Sequence, residues 1–139
     1  DLSGGMLEKA GKRLGTLSDA NYSLSTGTAF HIPAATGSFD LLVNNYMFDL
    51  ISFEDMDKVL EEFKRVLKKG GSLVLVNMTE GETRLSKLYD LIYRLSPKTM
   101  GGCRGVRMAD KLLQHGFTVE TREYIQQMLF PSEIILARI

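Results

Sequence analysis

Three polar residues stand together at the end of a mostly apolar run, where a buried strand would stop. Asn44, Asn45 and Tyr46 directly follow residues 39–43. Amide and phenol groups bind polar parts of small ligands through hydrogen bonds, which would make this a binding edge. Asparagines at a strand end also hydrogen-bond to the backbone of the next loop, so a simple turn is the alternative. Asp49, a few residues on, is interpreted as a solvated residue at a helix start rather than a base.

A second candidate region is more basic than the rest of the chain. Between residues 84 and 111 there are seven basic residues against two acidic ones. The basic ones are Arg84, Lys87, Arg94, Lys98, Arg104, Arg107 and Lys111. Long basic side chains often only cover a solvated helix face, which is the alternative to a binding role. Cys103 has no paired histidine, so we interpret this lone thiol as structural.

Composition narrows the class of partner. The 139 residues carry 17 Lys plus Arg and 17 Asp plus Glu, so the net charge is zero and nucleic acid is not an expected partner. The apolar runs are too short to span a membrane. A single cysteine permits no internal disulfide or multi-cysteine zinc site and fits a reducing compartment. We therefore expect a cytoplasmic location and no metal.

Apolar periodicity and capping residues predict four helices that would position these groups. Ser3 and Ser52 are typical N-caps. Gly15 closes the first helix, and Gly70 supplies a left-handed cap for the second. The first predicted helix lies between Ser3 and Gly15 and the second between Ser52 and Gly70. The third covers 85–95, and the fourth runs from Met108 to Gln114 with Gly116 as its cap.

Five strands are predicted between these helices. Residues 22–26 alternate apolar and polar side chains, as a half-buried strand does. Residues 39–45 and 73–76 are continuous apolar runs typical of buried parallel strands. The segments 117–124 and 133–139 lie close enough to pair without a helical crossover. The chain is therefore predicted to form an α/β, doubly wound sheet that is mostly parallel with an antiparallel C-terminal strand.

Three segments carry a family resemblance. The first is residues 1–3 followed by 6–10, and the second is residues 27–33 followed by 38–43. The third is residues 65–71 followed by 73–76. In this order and spacing they resemble class I S-adenosylmethionine-dependent methyltransferases, nearest to the type 11 or quinone-biosynthesis-like branch. The resemblance implies a Rossmann-like fold with S-adenosylmethionine as cofactor.

The same resemblance implies roles for individual residues in holding the cofactor. Asp1 would accept hydrogen bonds from both ribose hydroxyls, or would only cap the following helix. Leu2 would flank the adenine ring, or would be a core residue. Thr28 stands where the family often has aspartate, so adenine recognition would depend more on the backbone of Ala29. Asn45 would contact the methionine part of the cofactor or the acceptor.

For the methyl acceptor, the resemblance implies a small molecule. Tyr46 would lie beside it, and Arg104 or Arg107 would meet an anionic group on it. The chemistry implied is in-line methyl transfer to a nucleophilic atom, and no general base is identified. A non-catalytic nucleotide-binding or regulatory domain on the same fold is the alternative, because fold alone does not fix function.

The family's first strand and its glycine-rich turn have no counterpart in the sequence. We therefore interpret residues 1–139 as a single, N-terminally truncated methyltransferase domain lacking the first strands of its sheet. We expect such a fragment to bind cofactor weakly, to be inactive, and to self-associate through an exposed strand edge.

Overall fold

The computed structural model describes residues 1–19, 21–82, 105–127 and 130–139. Its helices and strands alternate along the chain until the last two strands, which follow each other directly. In chain order the elements are α1 (Gly4–Leu14), β1 (Phe39–Asn45), a 3-10 turn (Phe48–Leu50), α2 (Phe53–Val66), β2 (Leu67–Met78), α3 (Met108–Gln114), β3 (Thr118–Gln127) and β4 (Phe130–Arg138).

The four described strands form one sheet in the order β1-β2-β4-β3. β1 runs parallel to β2, whereas β4 pairs in the antiparallel sense with both β2 and β3. Three strands therefore share one direction and only β4 opposes them. This confirms the predicted α/β sheet that is mostly parallel with an antiparallel C-terminal strand.

The two best-defined helices begin where their side chains predict. The Ser3 hydroxyl accepts a hydrogen bond from the amide of Met6, and the Ser52 hydroxyl accepts one from the amide of Asp55. Both hydroxyls thus give the amides of the first helical turn a side-chain acceptor. Acidic residues in the first turn of α2 and basic residues in its last turn also match the helix dipole.

Gly70 does not cap α2 as predicted. The helix ends at Val66, and β2 begins at Leu67 in extended geometry. The pairing of β1 with β2 jumps from Phe39↔Leu67 to Leu41↔Ser72, so the intervening residues of β2 bulge out of the ladder. Gly70 takes its positive φ of 79° inside this bulge. The glycine was therefore needed for the backbone conformation, but in a strand rather than at a helix end.

The strand predicted at residues 22–26 is wrong, because these residues are not part of any described strand. A strand requires a neighbouring strand to satisfy its amides and carbonyls. Here the neighbour is the single residue Asp1, which bonds to Ser25 and Gly27. The predicted helix over 85–95 lies outside the described residues.

The core lies on the face of the sheet that α2 and α3 cover. Buried side chains of β2 and β4 meet buried side chains of both helices there, and the packing fixes which helix face turns inward. This set includes Met56, Val59, Leu60, Phe63, Leu73, Leu75, Met108, Leu112, Ile135 and Ala137. Within the described ranges, no helix combines the length and apolar character that crossing a membrane requires.

Candidate functional site

A cavity of about 210 Å³ lies between the first residue and the loop that precedes β1. Asp1, Thr28 and Ala29 line it together, and Ile32 and Pro33 provide an apolar wall. Three residues to which the family resemblance gave contacts with the cofactor therefore line the same cavity. The combination of a carboxylate, a hydroxyl and apolar surface suits a nucleoside, which has hydroxyls on one side and a flat ring on the other.

Backbone hydrogen bonds join Asp1 to Ser25 and Gly27, which also line this cavity. Its carbonyl accepts a hydrogen bond from the amide of Gly27 at 3.2 Å, and its nitrogen donates to the carbonyl of Ser25 at 3.3 Å. One carboxylate oxygen accepts from the amide of Ser3 at 2.7 Å. No described residue bonds to the other oxygen. The side chain thus serves the first turn of α1 and keeps one oxygen available to a ligand.

The Thr28 hydroxyl has a local role in its turn. It accepts a hydrogen bond from the amide of Phe30 at 3.3 Å, while the Thr28 carbonyl accepts one from the amide of His31 at 3.1 Å. The hydroxyl hydrogen is not used in either bond, so Thr28 can still donate to a ligand. Ala29 is half-buried and packs against the core, which fixes the position of its backbone.

Two side chains of α2 clamp the loop that carries these residues. The Glu62 carboxylate accepts from the amide of Ile32 at 2.6 Å and from Arg65 at 2.7 Å. Arg65 also donates to the carbonyls of Ala34, at 2.8 Å, and Ile32, at 3.0 Å. The bonds from Arg65 and the Ile32 amide lower the pKa of Glu62 from 4.5 to about 2. An ionised carboxylate therefore joins the helix to the loop.

A second cavity of about 320 Å³ runs along the outer edge of β1. It shares Ala29 and Ile32 with the first cavity and is otherwise lined mainly by apolar side chains. Asn44 is its polar exception. The amide nitrogen of Asn44 lies 3.5 Å from the sulfur of Met47, but its buried oxygen has no hydrogen-bond partner among the described residues. A buried polar atom without a partner is unusual and marks a place where a ligand could donate.

The other predicted site residues do not line these cavities. Leu2 is 79% exposed, so it is neither a core residue nor part of the described cavity wall. Asn45 is exposed and, one residue after Asn44, points to the opposite face of β1. Tyr46 lies beyond the end of β1 and crosses toward β4. Arg107 is exposed just before α3, and Arg104 lies outside the described residues.

Asp49 is buried, so its interpretation as a solvated residue is wrong. Only 3% of it is exposed, and one of its carboxylate oxygens has no described hydrogen-bond partner. It lies in the 3-10 turn, where Phe48 packs edge-on against Phe63 with ring centroids 5.9 Å apart. The packing of Phe48 draws the short turn into the core and takes Asp49 with it.

Sequence reasoning also missed a buried ion pair at the carboxyl end of the sheet. Glu133, fully buried in β4, accepts from Arg122 at 2.6 Å and from the amide of Met108 at 3.0 Å. Arg122 also reaches Glu82, at 2.7 Å, just after β2. Burial works to lower the pKa of Arg122, but its bonds to Glu82 and Glu133 outweigh burial and raise it. The sequence signal was a carboxylate, Glu133, directly before the apolar run of residues 134–137.

Comparison with known proteins adds an independent line of evidence. A family model described as a methyltransferase domain matches residues 1–75. Demethylmenaquinone methyltransferase of Thermobifida fusca is 37% identical over 54% of this chain and 31% of its own length. A ubiquinone/menaquinone biosynthesis C-methyltransferase of Haemophilus ducreyi is 32% identical over 73% of this chain and 39% of its own length.

A solved structure supports the same architecture. An S-adenosylmethionine-dependent methyltransferase from Methanosarcina mazei superposes with a TM-score of 0.79 at 14% identity, covering 99% of this chain and 79% of that one. At this identity the likeness concerns the fold alone. The chain spans well under half the length of the two curated relatives that it matches.

Proposed function

The chain belongs to the class I S-adenosylmethionine-dependent methyltransferase family, and we propose that the protein transfers a methyl group from S-adenosylmethionine to a small-molecule acceptor. The observation that carries this proposal is the cavity that Asp1, Thr28 and Ala29 line together. These are the residues to which the family resemblance gives the cofactor, and they come from separate parts of the sequence.

The chemistry of the cavity fits the adenosine part of the cofactor. The available oxygen of Asp1 can accept from a ribose hydroxyl, and the Thr28 hydroxyl can bond to the adenine edge. Ile32 and Pro33 offer an apolar wall to the flat base. At about 210 Å³ the cavity is smaller than a typical ligand pocket, which suits part of a cofactor rather than all of it. We propose that Asn45 contacts the methionine end of the cofactor and that Leu2 contacts the outer side of the adenine ring.

When bound, S-adenosylmethionine supplies an electrophilic methyl group, so the chain's own residues mainly have to hold and align the reactants. The clamp from Glu62 and Arg65 fixes the loop under the adenosine. We assign no general base, because methyl transfer needs one only when the acceptor's own pKa demands it.

We propose a quinone-type ring as the methyl acceptor, because the names of the two curated relatives refer to such molecules. Their names describe a demethylmenaquinone methyltransferase and a C-methyltransferase of ubiquinone and menaquinone biosynthesis. Arg107 is exposed and forms no ion pair within the described part of the chain, so it is available to an anionic group on such a molecule. The resemblance gives Arg104 the same role. Tyr46 would face the acceptor at the end of β1.

Replacing Asp1 with asparagine in the full-length protein tests this function. Asparagine keeps one acceptor oxygen but loses the charge that strengthens the ribose hydrogen bonds. We expect affinity for S-adenosylhomocysteine, measured by calorimetry, to fall at least about tenfold. Asp19→Asn changes an exposed aspartate outside the cavity and is the matched control.

Equal affinity in wild type and Asp1→Asn would remove Asp1 from the site, and wild-type protein without measurable binding would contradict the function itself. Tight binding without transfer to any quinol or phenol would instead favour the non-catalytic, nucleotide-binding alternative.

Location and assembly complete the proposal. We place the protein in the cytoplasm, which the single cysteine favours. We also propose that the isolated 139-residue chain self-associates. No described strand pairs with the outer edge of β1, and Leu41 and Val43 beside it are more than half exposed. Unpaired edges with apolar side chains favour pairing with another chain.

A further inference from the structure

Two hydroxyl groups meet across the carboxyl edge of the sheet. Tyr46 follows β1, whereas Ser132 lies in β4 opposite Met78, the last residue of β2. Because β2 separates β1 from β4 in the sheet, the side chain of Tyr46 must cross the end of β2 to reach Ser132. The two oxygens lie 3.2 Å apart. The phenol therefore stands at the edge where doubly wound folds bind their ligands.

The backbone holds Tyr46 in a conformation that bulky residues rarely adopt. Its φ is 49°, and it is the one non-glycine residue with positive φ in the described ranges. The amide of Tyr46 donates to the carbonyl of Val76 at 2.7 Å, which fixes the turn against β2. Such conformations cost free energy and collect at functional sites, where the surroundings hold them in place.

Counting hydrogens shows that this pair has a donor left over. Two hydroxyls carry two hydrogens, and the bond between them uses one, whichever oxygen donates. Ser132 is only 4% exposed, whereas Tyr46 is 43% exposed. A ligand at this edge can therefore reach the phenol and not the serine.

We propose that Ser132 donates to the Tyr46 oxygen and that the Tyr46 hydroxyl donates to an oxygen atom carried by the ring of the methyl acceptor. This inference rests on the proposed function and adds that the methyl acceptor must carry an oxygen atom on its ring. The ring of Tyr46 presents flat apolar surface beside its donor, so it recognises a flat apolar molecule that bears an oxygen. Ser132 orients the phenol and is a positioning residue.

Two matched probes test the pair in the full-length protein saturated with S-adenosylhomocysteine. 1-Naphthol carries a ring oxygen, and naphthalene has the same ring system without one. Affinities for both are measured by fluorescence titration in wild type, Tyr46→Phe, Ser132→Ala and the double variant. We expect Tyr46→Phe to weaken 1-naphthol about three- to tenfold, the effect of one neutral hydrogen bond, and to leave naphthalene unchanged.

Ser132→Ala should weaken 1-naphthol less than Tyr46→Phe does, and the double variant should be no weaker than Tyr46→Phe alone, because the serine acts through the phenol. If Tyr46→Phe loses affinity equally for both probes, Tyr46 only packs against the ring. The proposal is overturned if Tyr46→Phe binds 1-naphthol as tightly as wild type does, or if wild type does not bind 1-naphthol. Affinity for S-adenosylhomocysteine is measured separately in every variant. If wild type does not bind S-adenosylhomocysteine, the proposed function is refuted. The comparison of 1-naphthol with naphthalene, repeated without S-adenosylhomocysteine, still tests the proposed roles of Tyr46 and Ser132.

Discussion

Replacing Glu62 with glutamine removes the charge that ties the loop under the cofactor cavity to α2. The wild-type carboxylate accepts from the amide of Ile32 and from two nitrogens of Arg65, at 2.6–2.7 Å. Glutamine can accept at only one atom, and its amide hydrogens would face the donors of Arg65. The variant should therefore unfold more easily and hold the loop less firmly.

The pKa of Glu62 sets the size of the effect. Lowering a carboxyl pKa from 4.5 to about 2 corresponds to an upper limit of about 3 kcal/mol, at about 1.4 kcal/mol for each pKa unit. The Arg65 side chain is 33% exposed, and water screens part of the interaction. We expect Glu62→Gln to lower the free energy of unfolding at pH 7 by about 1–3 kcal/mol.

The same shift predicts how the difference changes with pH. The folded pKa lies below the ordinary value, so the stabilisation is complete above a pH of about 4.5 and is lost as the pH falls toward 2. Urea unfolding of wild type and Glu62→Gln at a series of pH values measures this loss. Glu8→Gln removes an exposed i,i+4 pair with Lys12 and is the control, with an expected cost below about 0.5 kcal/mol. A difference that stays constant from pH 7 to pH 3 would refute the reasoning.

Two further predictions concern the carboxyl end of the sheet. Glu133→Ala leaves the partly buried guanidinium of Arg122 with Glu82 alone and the amide of Met108 without its acceptor, and it should cost about 3–5 kcal/mol of unfolding free energy in urea. Adding Arg122→Ala should recover part of that loss, and a double variant as unstable as the sum of both would contradict the pairing. Gly105→Ala would place its Cβ 2.5 Å from the carbonyl oxygen of Thr79 and should lower the melting temperature. Gly4→Ala is the control and should not lower it, because its Cβ meets nothing within 4 Å. Equal melting temperatures for the two variants would show that the backbone near residue 105 moves freely.

Local features of this chain could be read from its sequence because they depend on neighbouring residues. The apolar spacing of α2 and the caps at Ser3 and Ser52 depend on residues within one or two helical turns of each other, so the sequence shows them directly. The apolar run of β1 and the final antiparallel pair were also predicted. The family resemblance, carried by short segments in a fixed order, supplied the cofactor class and the residues of the first cavity.

Features that need a distant partner could not be read in this way. Residues 22–26 have the alternation of a strand, but a strand also requires a neighbouring strand, and among the described residues the backbone there meets only the backbone of Asp1. Gly70 was recognised as needing a left-handed backbone, but the pairing of β1 with β2 decided that a strand bulge would use it. The burial of Asp49 follows from the packing of Phe48, which no local period reveals.

The sequence by itself therefore determined the three described helices, four of the five predicted strands and the family. Tertiary structure decided which side chains meet: Glu62 with the loop at Ile32, and Tyr46 with Ser132. These partners are 30 and 86 residues apart. Such contacts depend on sheet order and register, which hydrogen bonding and burial of the whole core fix together, so no single stretch of sequence contains them.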